Sequence, residues 1–329
     1  MPLPSIALID DSQGVALASA DWAKLDGRTT ITVLREPFAN EDAAAEALAP
    51  FDILVPMRER TAFPASLVRR LPNLKLFAMT GPRSGTFDIP AFTAQGVLVC
   101  NTGSTYSGTA TAELAFGLLL AVTRNIHQAD AAIRGGHWHE GVALGGILEG
   151  KRLGVVGLGK IGNRTARFGQ AFGMDVVAWS ENLTPETAAG SGALRVEKDE
   201  LFRTSDVVSL HLVLSDRTRG VVGAPELQSM KDGAIIINTA RGPLIDEAAL
   251  LKELSTGRIG AGLDVFDKEP LPADHPIRDM RNTVLTPHLG YSAKPAIAEF
   301  YGSTLENIVA WLDGKPIRVV NPEAVKPPG

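Results

Sequence analysis

The chain has 329 residues, enough for about two domains of ordinary size, and its 32 basic and 37 acidic residues leave a net charge of -5, which gives no reason to expect nucleic acid as a partner. Cys100 is the only cysteine, so no intramolecular disulfide and no cysteine-based metal site can form. Residues 1–11 lack a basic segment followed by a long apolar core, and the longest apolar run, 115–122, falls far short of the roughly 20 residues of a membrane helix; a soluble, cytoplasmic protein is expected.

In chain order, short apolar runs at 5–9, 30–34, 52–56, 74–79 and 96–99 read as buried strands, with helical patterns at 43–48 and 64–71 between them. This alternation predicts a parallel α/β layer. A long, largely apolar helix over 109–125 bridges to a glycine- and tryptophan-containing loop, 135–150. A second α/β series follows, with strand candidates at 153–156, 175–179, 206–213, 234–238, 259–263 and 283–286, enough for a doubly wound sheet. A helix over 295–312 precedes a tail, 315–329, with four prolines. The second series is complete by about residue 290, so the tail is expected to return to the first lobe.

The run 153–156 leads into Gly157, Gly159 and Gly162, spaced G-x-G-x-x-G, and then into a helix-forming segment, 163–172. The first glycine permits a sharp turn, the second lets the backbone approach a pyrophosphate, and the third lets the helix pack on the strand. The helix N-terminus then presents free N–H groups to the phosphates.

In an open parallel sheet, ligands sit beyond the carboxyl ends of the strands. The strand at 234–238 delivers Thr239, Ala240 and Arg241; the next delivers Asp264 and then Glu269; the last delivers His288. A guanidinium can bind a carboxylate through two hydrogen bonds, a histidine can exchange a proton near neutral pH, and a carboxylate can orient that histidine. With a dinucleotide supplying hydride, such a set could reduce a carbonyl next to a carboxylate. Asp264 could equally brace a turn. His137 and His139 flank Trp138 without a nearby carboxylate or cysteine set, a poor metal site, and no metal is expected.

The glycine motif, Asn238-Thr239-Ala240-Arg241-Gly242, Gly262 to Phe266 with Glu269-Pro270, and Thr286 to Gly290 together resemble the D-isomer-specific 2-hydroxyacid dehydrogenases over about residues 50–320. The resemblance implies a two-lobed α/β fold: a Rossmann-type NAD domain, 105–292, inserted into a flavodoxin-like substrate domain, 1–104 and 293–329. It implies that Arg241 binds the substrate carboxylate and carbonyl, that His288 is the acid/base paired with Glu269, and that Asp264 contacts the nicotinamide carboxamide. The backbone around Lys160 and Ile161 would meet the pyrophosphate, with Gly157, Gly159, Gly162, Thr239, Ala240 and Gly290 also at the cofactor. Members are usually homodimers.

Three departures bear on specificity. Ser180 stands where NAD-preferring members carry an acid, but no arginine is beside it and Glu181 would repel a 2′-phosphate, so NAD is expected over NADP. The substrate-lobe loop reads Thr80-Gly81-Pro82-Arg83-Ser84-Gly85. Gly81 and Arg83 are the substrate-binding candidates there, because Pro82 has no N–H while Arg83 adds a charge, with Arg58 and Arg60 as helpers; an outward salt bridge is the alternative for Arg83. Tyr291 and Ser292 follow Gly290 where small residues are common, narrowing the pocket. The expected reaction is NAD(H)-dependent interconversion of a 2-oxo acid and a D-2-hydroxy acid. The alternatives are an NADPH-dependent glyoxylate or hydroxypyruvate reductase and a dinucleotide-sensing protein on the same fold.

Overall fold

Parallel strands buried on both faces are what continuous apolar runs produce; every strand pair among the described residues is parallel, and the central strands are buried while the edges β2 and β8 are not. The structure is a computed structural model describing residues 2–324; residues 325–329 of the tail lie outside the described residues. The chain forms two units, residues 1–106 with 294–329, and residues 107–293.

The first unit contains β1 (Ser5–Ile9), β2 (Thr30–Leu34), α1 (Glu41–Leu48), β3 (Ile53–Pro56), α2 (Ala65–Val68), β4 (Leu76–Ala78), α3 (Ile89–Ala94) and β5 (Leu98–Cys100). Its sheet runs β2-β1-β3-β4-β5, the flavodoxin-like order. Asn40 caps α1, its side chain accepting from Ala43 N–H at 2.9 Å. Phe63, Phe77 and Phe92 form an aromatic centre, with the Phe77 and Phe92 rings 4.4 Å apart.

The second unit begins with α4 (Ser107–Thr123) and α5 (Ile126–Arg134). The predicted helix 109–125 stops early because Asn125 takes a left-handed conformation, φ 51°, and α5 restarts beyond it. None of the residues of α5 is buried. There follow β6 (Arg152–Val156), α6 (Lys160–Ala171), β7 (Asp175–Trp179), α7 (Pro185–Ala189), β8 (Leu194–Arg195), α8 (Lys198–Thr204), β9 (Val207–Leu210), α9 (Ala224–Ser229), β10 (Ile235–Asn238), α10 (Glu247–Ser255), β11 (Gly260–Leu263) and β12 (Thr283–Leu285). The order β12-β11-β10-β9-β6-β7-β8 is a Rossmann sheet extended by one strand. The extension is β12; the sheet has seven strands rather than the six expected because β8, not foreseen, is a two-residue edge too short to register as an apolar run. α4 packs on β10 and β11, and Gly262 makes room for it, since a Cβ there would lie 2.9 Å from Leu118 Cβ.

The chain rejoins the first unit through α11 (Lys294–Leu312). Val319 then bridges antiparallel to Cys100, and Val320 N–H donates to Val99 O at 2.8 Å. Asn321, fully buried, accepts from Val99 N–H and donates to Val97 O and Thr93 Oγ1.

Candidate active site

The turn between β6 and α6 accepts nothing larger than glycine at two of its three positions. Gly157 has φ +96°, and a Cβ there would lie 2.9 Å from the His211 and Leu212 backbone; at Gly162 it would lie 2.0 Å from Gly157 O. Gly159 faces open space, with nothing within 4 Å of its Cβ position, and it precedes the first turn of α6, where N–H groups lack intrahelical partners. A turn closed beneath and open above the helix N-terminus fits a pyrophosphate. Two buried polar atoms on the neighbouring strand ends, Thr239 Oγ1 and His211 Nδ1, have no hydrogen-bond partner, which also fits a polar ligand at this edge. Burial pushes the His211 imidazole down to about 4, so it is neutral, and its Nε2 lies 2.9 Å from Ser209 Oγ.

Across the sheet, the ends of β10, β11 and β12 bring Arg241, Glu269 and His288 together. Asn238, missed by sequence reasoning, braces the first of these loops from both sides: Oδ1 accepts from Ala240 N–H at 3.0 Å and Nδ2 donates to Arg241 O at 2.9 Å. Gly242 sits against the Phe266 backbone, where a Cβ would fall 2.1 Å from the carbonyl carbon, so the arginine loop and the glutamate loop are keyed together. Glu269 Oε1 accepts from Phe266 N–H at 2.9 Å, and Oε2 lies 2.6 Å from His288 Nδ1. With Nδ1 turned to the carboxylate, Nε2 is the imidazole nitrogen left to exchange a proton.

His288 has φ +55°, a conformation uncommon outside glycine. Asp264 holds it there. Its backbone carbonyl accepts from His288 N–H at 2.8 Å, and its fully buried carboxylate accepts from Thr286 Oγ1 at 2.5 Å and from Leu289 and Gly290 N–H, each at 2.7 Å. Burial raises the Asp264 carboxyl pKa against the lowering influence of these donors and of His288. Of the two uses left open by the sequence, bracing a turn is visible, although the turn lies over 20 residues downstream.

Burial also opposes the charge on Glu269, but the hydrogen bond and charge of His288, the Phe266 amide and the charge of Arg241 outweigh it and hold the carboxyl below its ordinary range. A carboxyl depressed by folding contributes stability that is complete above the ordinary glutamate pKa and is lost as pH falls through the depressed value. Melting temperature measured from pH 7 down to 3 should therefore fall less steeply in Glu269→Gln than in the parent; parallel curves would show that the pair does not couple to folding.

In the first unit, Gly81 N–H donates to Thr102 Oγ1 at 2.6 Å, so neither Gly81 nor Pro82 has an amide to offer a ligand. Arg58 donates to Thr80 O at 3.1 Å and pairs with Glu59 at 3.2 Å. Arg60 donates to Asp10 O and Ser12 Oγ. Arg83 is exposed and makes no ion pair among the described residues, so the salt bridge considered for it is not formed there. Ser180 is half-buried at the end of β7 and accepts from Leu183 N–H at 3.0 Å. Among the described residues, no helix is long and apolar enough to cross a membrane.

The family model for the NAD binding domain of the D-isomer specific 2-hydroxyacid dehydrogenases matches residues 116–290, a span holding the glycine turn and all three strand-end loops. A glyoxylate reductase from Aeropyrum pernix is 38% identical over 79% of this chain and 80% of its own. The protein belongs to the D-2-hydroxyacid dehydrogenase family. A D-3-phosphoglycerate dehydrogenase from Archaeoglobus fulgidus is 36% identical over 82% of this chain, but the match spans only 52% of that relative, about half its length. The crystal structure of a phosphoglycerate oxidoreductase from Vibrio cholerae o395 matches with a TM-score of 0.89 at 35% identity, covering 95% of this chain and 100% of that one. This dehydrogenase therefore has a Rossmann-type NAD-binding domain and the family's oxidoreductase character.

Proposed function

We propose that this protein interconverts a 2-oxo acid and a D-2-hydroxy acid with NAD(H), its second unit binding the dinucleotide. The observation that carries the reading is the 2.6 Å contact between His288 Nδ1 and Glu269 Oε2, one strand over from the Arg241 loop and on the same sheet edge as the glycine turn. In reduction, Arg241 binds the substrate carboxylate and orients the carbonyl, His288 protonates the carbonyl oxygen through Nε2, and Glu269 steadies the imidazolium. The bound dinucleotide supplies the hydride. Gly157, Gly159, Lys160, Ile161 and Gly162 cradle its pyrophosphate, and Ser180, Thr239, Ala240, Asp264 and Gly290 line the rest of its path. In the first unit Arg83 is the candidate for a polar group on the substrate.

NAD is preferred to NADP on this reading. Glu181 is exposed beside Ser180, and Arg195 of β8 and Lys198 at the start of α8 are engaged elsewhere, with Glu197 and Glu226. Oxidation of NADH and NADPH, followed by absorbance with glyoxylate, hydroxypyruvate, pyruvate, phenylpyruvate and phosphohydroxypyruvate, should show turnover favouring NADH by about tenfold or more, one lost charge contact being worth 1.4 kcal/mol or above. Preference for NADPH would overturn the cofactor assignment. Dinucleotide binding without turnover of any 2-oxo acid would sink the reaction.

The proposed protein is a cytoplasmic homodimer. α5 and the loop after it leave Ile126, Ile133, Trp138, Leu144 and Ile147 exposed, Leu144 completely. Exposed apolar side chains of this size can pair with their own copy about a twofold axis. Light scattering at micromolar concentration should give twice the chain mass, and Leu144→Asp with Ile147→Asp should halve it. A monomeric parent would refute the proposal.

A further inference from the structure

Asn238 ends β10, and its backbone belongs to the sheet. It lies opposite Leu210 of β9 and Leu263 of β11, and its carbonyl accepts from Asp264 N–H at 2.9 Å. Its side chain is 1% exposed and serves the loop that follows. Oδ1 takes the Ala240 N–H at 3.0 Å, and Nδ2 donates to Arg241 O at 2.9 Å.

Between the two peptide groups so held lies the one that receives the guanidinium, since Arg241 Nη1 donates to Ala240 O at 2.7 Å. The Asn238 carboxamide thus clamps the backbone on both sides of the carbonyl against which the arginine side chain rests. Past the arginine, Leu244 N–H reaches Arg241 O at 3.3 Å and Gly242 is fitted to the Phe266 backbone, so the loop is anchored at its far end as well. A carboxamide suits this place because it carries an acceptor and a donor on one short planar group. An apolar residue of like size would leave the buried Ala240 amide short of a partner, and an ionised carboxylate would set oxygen against the Arg241 carbonyl.

We infer that Asn238 is a positioning residue for Arg241, setting the direction of the guanidinium and with it the affinity for the substrate carboxylate. The inference rests on the proposed reaction, in which Arg241 binds that carboxylate. A bidentate guanidinium contact is directional, and misplacing such a group by about 1 Å can cost about 100-fold. The backbone bond from Asp264 to Asn238 survives any side-chain substitution, so the histidine loop should stay as it is and the effect should fall on substrate binding.

The test measures kcat and KM, with NADH and the best of the five 2-oxo acids named above, in the parent, Asn238→Val and Asn238→Asp, with NADH affinity by fluorescence confirming that each variant is folded. Asn238→Val should raise KM about 10- to 100-fold, with kcat falling by less and NADH affinity unchanged. In an Arg241→Lys background, which has no guanidinium fork left to aim, the same substitution should change KM less than about twofold, the non-additivity expected when one residue acts through the other. A protonated carboxyl accepts and donates as the amide does, and burial favours that form, so KM of Asn238→Asp should lie nearer the parent's at about pH 5.5 than at about pH 8.5. That variant decides the matter where Asn238→Val does not fold: KM equal to the parent's at both pH values would overturn the inference. So would an unchanged KM in Asn238→Val, or a loss just as large in the Arg241→Lys background, which would leave Asn238 a support of the fold alone. Turnover of no 2-oxo acid by the parent would instead bring down the proposed reaction and the inference with it.

Discussion

His288→Ala should reduce a 2-oxo acid about a thousandfold more slowly than the parent while binding NADH with the same affinity, the loss lying within the usual range for removing a general acid. The imidazole is placed for this by two independent devices, the Glu269 carboxylate on Nδ1 and the Asp264 carbonyl on the backbone N–H. Glu269→Gln keeps a hydrogen-bond acceptor for Nδ1 but removes the carboxylate charge facing the ring, so its loss should be smaller, about 10- to 100-fold. Single-turnover NADH oxidation, with fluorescence titration of the dinucleotide, separates chemistry from binding. A His288→Ala enzyme keeping a tenth of parental activity would remove the residue from the proposed role.

Asp264→Ala should cost both stability and turnover, although the side chain is wholly buried. Its carboxylate takes three donors from the 286–290 loop, and losing a buried charged acceptor strands them, at about 2–4 kcal/mol in total. Released from its brace, His288 has little reason to keep φ +55°, so reduction should fall about 100-fold or more with it. Asp264→Asn separates the two effects poorly, since one amide oxygen cannot serve three donors and its NH2 would face N–H groups. Urea unfolding monitored by tryptophan fluorescence gives the stability, and the same single-turnover assay gives the chemistry. Parental stability in Asp264→Ala would mean that the loop is held by something else.

The parts of this protein that could be read from its sequence are those in which local pattern and tertiary role coincide. Buried parallel strands announce themselves as apolar runs, and the G-x-G-x-x-G turn gives each glycine its own steric reason, two of which are met at Gly157 and Gly162. The polar residues at strand ends were legible because an open parallel sheet gathers ligands at one edge. What escaped depends on partners far away in sequence. Thr102 takes the Gly81 amide from 21 residues away, and Asp264 reaches the Gly290 amide 26 residues on. Asn238 passed for the polar end of a strand, with its bonds to both sides of the arginine loop hidden. α5, only nine residues long, was missed too; its apolar positions share one face, but none of its residues is buried.

Asn321 also dictates an order of assembly during synthesis. Its bond to Val99 joins residues 222 positions apart, while the second unit is contiguous from 107 to 293. On a ribosome adding roughly 5–20 residues per second, the edge strand β5 waits roughly 10–40 s for the segment that covers it. Residues 107–293 can meanwhile collapse around their own sheet, so the nascent chain holds a finished nucleotide-type unit beside an unfinished five-stranded one. In that interval the apolar strands of the first unit are the part of the chain most in need of a chaperone.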